Sequence, residues 1–297
     1  MTSTTRFYGC GTALATPFAA DGSVDERALR SLVDWQIAEG VHFLVPCGST
    51  GEAATMSGVE HRRVVEIVVD QTRGRVPVIA GAGSNDTRKA IALSKEMCAA
   101  GATHLLHVSP MYNKPPQRGI IAHFRAIADA VDTPMIVYNV PGRTGSNIEA
   151  RTTLALAEIP SIIAVKEASG NLGQIMEIIR DRPEHFSVLS GDDALTLAVM
   201  AAGGDGIISV VSNVTPGKMA RLVDSCRAGD FAAARALHEQ LSPWMSAAFI
   251  ESNPIPVKAA LAMLGRAENV VRLPLVTLRQ ELSVDVRAAL VTAGALA

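Results

Sequence analysis

Cysteine is scarce in this chain. Its four residues, Cys10, Cys47, Cys98 and Cys226, form no C-x-x-C pair among 297 positions, which excludes a disulfide framework or a zinc ribbon and fits reduced thiols. Excess charge of either sign is also missing. Lysine and arginine total 27 against 29 acidic residues, a net of −2, so no basic surplus exists to hold a phosphate backbone and nucleic acid is not an expected partner. No stretch reaches about 18 uninterrupted apolar residues, so no membrane span is expected. The opening MTSTTRFYGCGTALATPF has no basic region ahead of a long apolar core; no signal peptide is expected, and the expected compartment is the cytoplasm. No Gly-x-Gly-x-x-Gly opens a helix after the first strand candidate, which counts against a doubly wound dinucleotide-binding sheet.

What is there is apolar and regularly spaced. The chain is 48% hydrophobic and 19% charged, ample for one large core. Short apolar runs, FLVPC (43–47), VPVIAGAG (76–83), HLLHVSP (104–110), PMIVYNVP (134–141), SIIAVK (161–166), FSVLSG (186–191) and GIISV (206–210), follow an earlier candidate at YGCGTALATPF. Between them lie stretches of helical periodicity such as DERALRSLVDWQIAEG and NDTRKAIALSKEMCAAG, several ending in glycine. Strict βα alternation over about 200 residues demands parallel strands with helical crossovers, and eight units close most economically as an α/β fold, a (β/α)8 TIM barrel. Residues 1–215 are assigned to that barrel. Residues 216–297 read as C-terminal helices completing the barrel and packing on it, in the same functional unit.

In such a barrel, chemistry is built at the C-terminal ends of the strands. Those ends carry Gly48, Ser49, Thr50, Gly51 and Glu52, then Met111, Tyr112 and Asn113, then Tyr138 and Asn139, then Lys166, then Gly191, Asp192 and Asp193. Of the six lysines, Lys89, Lys95, Lys114, Lys218 and Lys258 occupy helical or polar loop contexts where solvated or snorkelling heads are expected. Lys166 alone ends a strand. Two readings stand for it: an ion pair with Glu52, Asp192 or Asp193, or a neutral amine that captures a carbonyl as a Schiff base. At an unperturbed pKa of about 10.4 roughly one lysine in a few thousand is neutral at pH 7. Desolvation by up to ~3 units would raise that fraction about a thousandfold.

The neighbours carry the same duality. Tyr138 is either a packed ring or a phenol that moves protons during carbinolamine formation. Ser49 and Thr50 add hydroxyls and N–H groups in a glycine-flanked turn suited to a small carboxylate. Arg143, just beyond Tyr138, is either solvated or a planar fork for a second carboxylate. Cys47 is either a packed thiol or a reactive one. His104 and His107, three apart on a strand, face opposite sides, so no metal site is expected.

Taken together, GSTGEAAT (48–55), SPMYNKP (109–115), YNVPGRTG (138–145), IIAVKEASGN (162–171), LSGDDA (189–194), GIISVVSN (206–213) and ESNPIPVK (251–258) resemble the dihydrodipicolinate synthase family. That family lies in the pyruvate-dependent class I aldolase superfamily with N-acetylneuraminate lyase. The resemblance runs from about residue 7 to the C-terminus. It implies that Lys166 forms an imine with pyruvate, with no external cofactor, and that the resulting enamine attacks aspartate 4-semialdehyde in lysine and diaminopimelate biosynthesis. It makes Tyr138 the proton donor and acceptor, and Ser49 and Tyr112 the other relay hydroxyls. Tyr112 would come from a neighbouring subunit of a homotetramer, a dimer of dimers. Thr50, Ile208 and Gly191 would line the pyruvate site, and Arg143 would hold the semialdehyde carboxylate. Ser49 stands where synthases commonly have a second threonine, and GSTGE is frequent in the lyase branch; an N-acetylneuraminate lyase-like aldolase is the alternative. A noncatalytic sensor barrel would be expected to lack the lysine or the tyrosine.

In lysine-inhibited relatives the effector pocket has an acidic residue where this chain has Lys89 and a tyrosine where it has Met111, whereas His61 and Asn85 match. An ammonium facing the effector's own ammonium repels it. Lysine feedback is therefore predicted to be weak or absent; half-inhibition below about 1 mM lysine in a steady-state assay would overturn this.

Overall fold

The computed structural model describes residues 6–297; the first five residues of the unit assigned to 1–215 lie outside the described residues. Eight parallel strands form one sheet: β1 (Gly9–Ala13), β2 (Phe43–Val45), β3 (Ile79–Gly81), β4 (His104–Val108), β5 (Met135–Asn139), β6 (Ile162–Glu167), β7 (Ser187–Ser190) and β8 (Gly206–Ser209). They run in the order β2-β1-β8-β7-β6-β5-β4-β3. The ends meet through a parallel bridge between Leu44 and Val78, with Leu44 N–H donating to Pro77 O and Gly81 N–H to Pro46 O, each at 3.0 Å. The sheet closes on itself, which removes its edges.

Side-chain alternation then divides the apolar residues into two layers. Ala13, Phe43, Ile79, Leu106, Ile136, Leu189 and Ile208 fill the barrel interior, while Leu105, Met135, Val137, Val165 and Val188 face the surrounding helices. Helices begin where the chain supplies an acceptor for their free N–H groups. Asp25, Asp86 and Asn171 cap three of them, and Ser57 with Glu60 forms a capping box before Gly58–Thr72.

Strict alternation fails at one informative place. β5 and β6 pair as Met135 with Ile162 but Ile136 with Ala164, so the register shifts by one residue at Ile163. Beyond the shift Tyr138 pairs with Lys166 and Asn139 with Glu167. An unbroken period of two would put Lys166 on the same face as Ile162, toward the helices. The extra residue turns it into the barrel mouth and sends Glu167 outward instead.

The helix Pro216–Arg227 packs on β1 and β8. It is the eighth helix of the barrel, so a boundary at 215 separates the last β/α unit from its own helix. The added layer begins after Arg227: Phe231–Ala247 packs on that eighth helix and on Ser283–Thr292, which in turn packs on Ile255–Met263. No helix among the described residues is long and apolar enough to cross a membrane.

Candidate active site

Lys166 ends up nearly dry. Only 5% of it is exposed, and its Nζ lies 4.1 Å from the centroid of the Tyr138 ring on the neighbouring strand. No carboxylate among the described residues is within ion-pair distance of it. Glu52 pairs elsewhere, and the buried Asp193 accepts from Ser209 Oγ at 2.5 Å, Val210 N at 3.0 Å and Val211 N at 3.4 Å. Burial drives the Lys166 amine down to about 7; Asp193 opposes this and the Arg143 guanidinium reinforces it. Far more of the amine is therefore neutral near pH 7 than the few parts in ten thousand of an ordinary lysine.

Space beside that amine is left by a missing side chain. A Cβ on Gly191 would stand 3.1 Å from both Cγ and Cε of Lys166 and 2.7 Å from the Ala168 Cβ. Gly191 itself is fixed by its N–H donating to Glu167 O at 2.7 Å. Across the mouth, Ile208 is fully buried in β8. Burial pushes the Tyr138 phenol up to about 12, with Arg143 pulling the other way, so the hydroxyl keeps its proton at neutral pH.

The Ser49–Thr50 turn forms the other wall. Gly51 N–H donates to Gly48 O at 3.1 Å and Glu52 N–H to Ser49 O at 3.2 Å. Ser49 is exposed at the mouth, whereas Thr50 is buried and its hydroxyl accepts from Asn253 Nδ2 at 2.8 Å. Arg143 is exposed on the short helix Pro141–Thr144 that directly follows β5. Tyr112 is not brought to Lys166 within one chain. Its ring is 88% exposed, and its backbone, at φ 73°, donates to Thr144 O at 3.1 Å. In the effector region, Asn85 Nδ2 donates to Met111 O at 3.3 Å, His61 is buried against Gly81 O at 2.8 Å, and Lys89 is exposed.

Cys47 is buried, and burial raises its thiol pKa, as suits the packed-thiol reading and not the reactive one. One expectation needs correction. Lys258 is not solvated: it is 1% exposed, its Nζ pairs with Glu52, and it donates to Val270 O at 2.8 Å. The clue lay in its surroundings, an ionisable residue inside the otherwise apolar helix Ile255–Met263. His104 and His107 do diverge, one toward Phe7 inside the barrel and the other toward Ser94 outside. Among the described residues no group of three or more His, Cys, Asp or Glu side chains is clustered to hold a metal ion. A cavity of about 740 Å³ lies at the opposite end of the barrel among Phe7, Phe43, His104 and Ile163. That end is not where barrel enzymes place their chemistry.

A closed parallel barrel with a desolvated amine and a protonated phenol at its C-terminal mouth defines a class: a barrel enzyme built to handle a carbonyl compound. The chain belongs to the dihydrodipicolinate synthetase family, whose model matches residues 6–293. It is 54% identical over 277 residues to a 4-hydroxy-tetrahydrodipicolinate synthase of Koribacter versatilis, covering 93% of this chain and 92% of that one. It is 51% identical over 292 residues to the Nitratidesulfovibrio vulgaris protein of the same name, covering 98% and 100%. A solved structure of the chloride-inhibited dihydrodipicolinate synthase of Acinetobacter baumannii, complexed with pyruvate, superposes with a TM-score of 0.96 at 40% identity, covering 97% of this chain and 99% of that one.

The folded chain holds the Lys166 proton less tightly than the unfolded chain, whose value is 10.5. Below about pH 7 the charge weighs fully against folding, and the penalty fades as pH rises from there to the unfolded value. Lys166→Met is therefore predicted to raise the thermal midpoint at about pH 6 by about 5 °C, with the gain shrinking by about pH 9. A midpoint that stays level or falls at the lower pH would mean that the amine is not desolvated.

Proposed function

We propose that this enzyme condenses pyruvate with L-aspartate 4-semialdehyde to give 4-hydroxy-tetrahydrodipicolinate, through an imine on Lys166. The observation that carries this is the buried amine beside the Tyr138 phenol, with no counter-ion among the described residues.

The neutral amine adds to the pyruvate ketone, and the carbinolamine loses one water to become the imine. Tyr138 delivers the proton that leaves with that water and takes one back; its high pKa suits a group that donates and is at once reprotonated. Loss of a methyl proton gives the enamine, whose carbon attacks the semialdehyde's aldehyde and forms the new C–C bond. The semialdehyde's own amine then displaces Lys166 from the imine carbon, closing the ring and restoring the lysine. One water is released per turnover, and no oxidant or reductant is consumed.

Thr50 and the N–H groups of its turn are assigned to the pyruvate carboxylate, with Ile208 and Gly191 shaping the space around it. Arg143 is assigned to the semialdehyde carboxylate. Ser49 and Tyr112 are assigned to the proton relay. The exposed Tyr112 ring is available to serve a neighbouring subunit's mouth, which supports a homo-oligomer; the assembly is assigned as a homotetramer and the compartment as the cytoplasm. Ser49 is the one residue that favours an N-acetylneuraminate lyase-like aldolase.

Borohydride reduction in the presence of pyruvate is predicted to leave a pyruvyl adduct on the peptide containing Lys166. An adduct elsewhere, or none, would end the imine reading. Offered aspartate semialdehyde, N-acetylmannosamine and glyceraldehyde as acceptors, the enzyme should turn over the first; preference for the second would select the lyase-like alternative. Tyr138→Phe should lower turnover by about 10² or more, and wild-type activity would reduce that phenol to packing.

A further inference from the structure

The turn bearing Ser49 and Thr50 is gripped from behind by the C-terminal segment. Glu52 closes that turn in a left-handed conformation, φ 55°, without being glycine, a geometry that persists only where its surroundings enforce it. The enforcing groups can be named. The Glu52 carboxylate is entirely buried; it pairs with Lys258 Nζ, and its Oε2 accepts from Arg272 N at 3.0 Å. Lys258 is further held over the Phe18 ring at 3.9 Å, and Arg272 Nη1 donates to Thr55 O at 3.1 Å just past the turn. On the barrel side, Thr16 Oγ1 donates to Gly51 O at 2.8 Å. A Cβ on Gly51 would come within 3.0 Å of Leu14 O, so the turn is pressed against the strand ends with no slack.

A buried lysine at the rim of this barrel invites a second reading, that Lys258 is another condensing amine. Geometry rules against it. All three of its donor directions are committed, to Glu52, to Val270 O and to the face of Phe18, and it is 1% exposed. We infer that the Glu52–Lys258 pair is a positioning device for the condensation, holding the Gly48–Glu52 backbone so that the Ser49 hydroxyl and the Thr50 N–H face the Lys166 adduct. This rests on the imine reading of Lys166.

The test separates positioning from mere stabilisation. Losing one partner strands the other as an uncompensated buried charge, so Lys258→Met alone and Glu52→Gln alone should lower the thermal midpoint. The double variant Glu52→Gln/Lys258→Met removes both charges and should recover the midpoint. Positioning predicts that the double variant still gives the borohydride-trapped pyruvate adduct on Lys166, while kcat stays about ten- to a hundredfold below wild type. Recovery of kcat together with the midpoint would overturn the inference. Should the double variant fail to fold, Glu52→Asp, which keeps the charge but withdraws it by one methylene, is read in the same way: reduced kcat at an unchanged midpoint supports positioning and wild-type kcat refutes it. Absence of the adduct in the wild-type enzyme would instead refute the imine reading itself.

Discussion

An ammonium is stable where it finds water or a carboxylate, and at Lys166 the barrel mouth withholds both. Burying a charge without a partner is costly enough that the group gives up its proton instead. The acids around it have partners of their own: Asp193 has Ser209 and two backbone N–H groups, Asp192 the Ala194 N–H, Glu52 Lys258, and Glu167 Asn139, Gln174 and the Ser169 N–H on the far side of the strand. The amine is left basic enough to attack a carbonyl and free enough to do so near neutral pH. A single carboxylate in the wrong rotamer would return it to the charged state.

The two buried lysines of this fold make the point by contrast. Lys258 and Lys166 are both almost inaccessible, and burial lowers both, to about 8 and about 7. Lys258 has an ion-pair partner, a carbonyl acceptor and an aromatic face, so its charge is used to tie the C-terminal segment to the Ser49–Thr50 turn. Lys166 also faces an aromatic ring, that of Tyr138, but among the described residues it has no ion-pair partner and no carbonyl acceptor, only the space left by Gly191. What separates structural from chemical lysine here is the inventory of neighbours, since burial is common to both.

Much of the fold was readable in advance because it follows from periodicities that short windows carry. Eight apolar runs alternating with amphipathic stretches became eight strands and their crossovers, and the strand ends became the mouth. Among the helices from residue 216 onward that complete the barrel, nothing local distinguishes Pro216–Arg227 from those after it; only its packing on β1 and β8 does. Lys258 escapes local pattern for the same reason. Its partner Glu52 is distant in the chain, and a lysine in a helical context carries only the general expectation of a solvated or snorkelling head. Tyr112 and Lys166 were legible as side chains of the right chemistry, yet one chain leaves the first almost fully exposed and the second almost fully buried.

By itself the sequence determined the fold class, the strand termini and the set of residue types gathered there, because these depend on local pattern and on the topology that pattern permits. Only the tertiary structure decided which way Lys166 points. Its side-chain face is set by the one-residue register shift between β5 and β6, a property of two paired strands that neither carries alone, and its ionisation is set by burial and by Arg143 and Asp193, which fold in from the segments after β5 and β7. Orientation and dielectric are long-range quantities, and a lysine at the end of an apolar run acquires them only when the barrel closes.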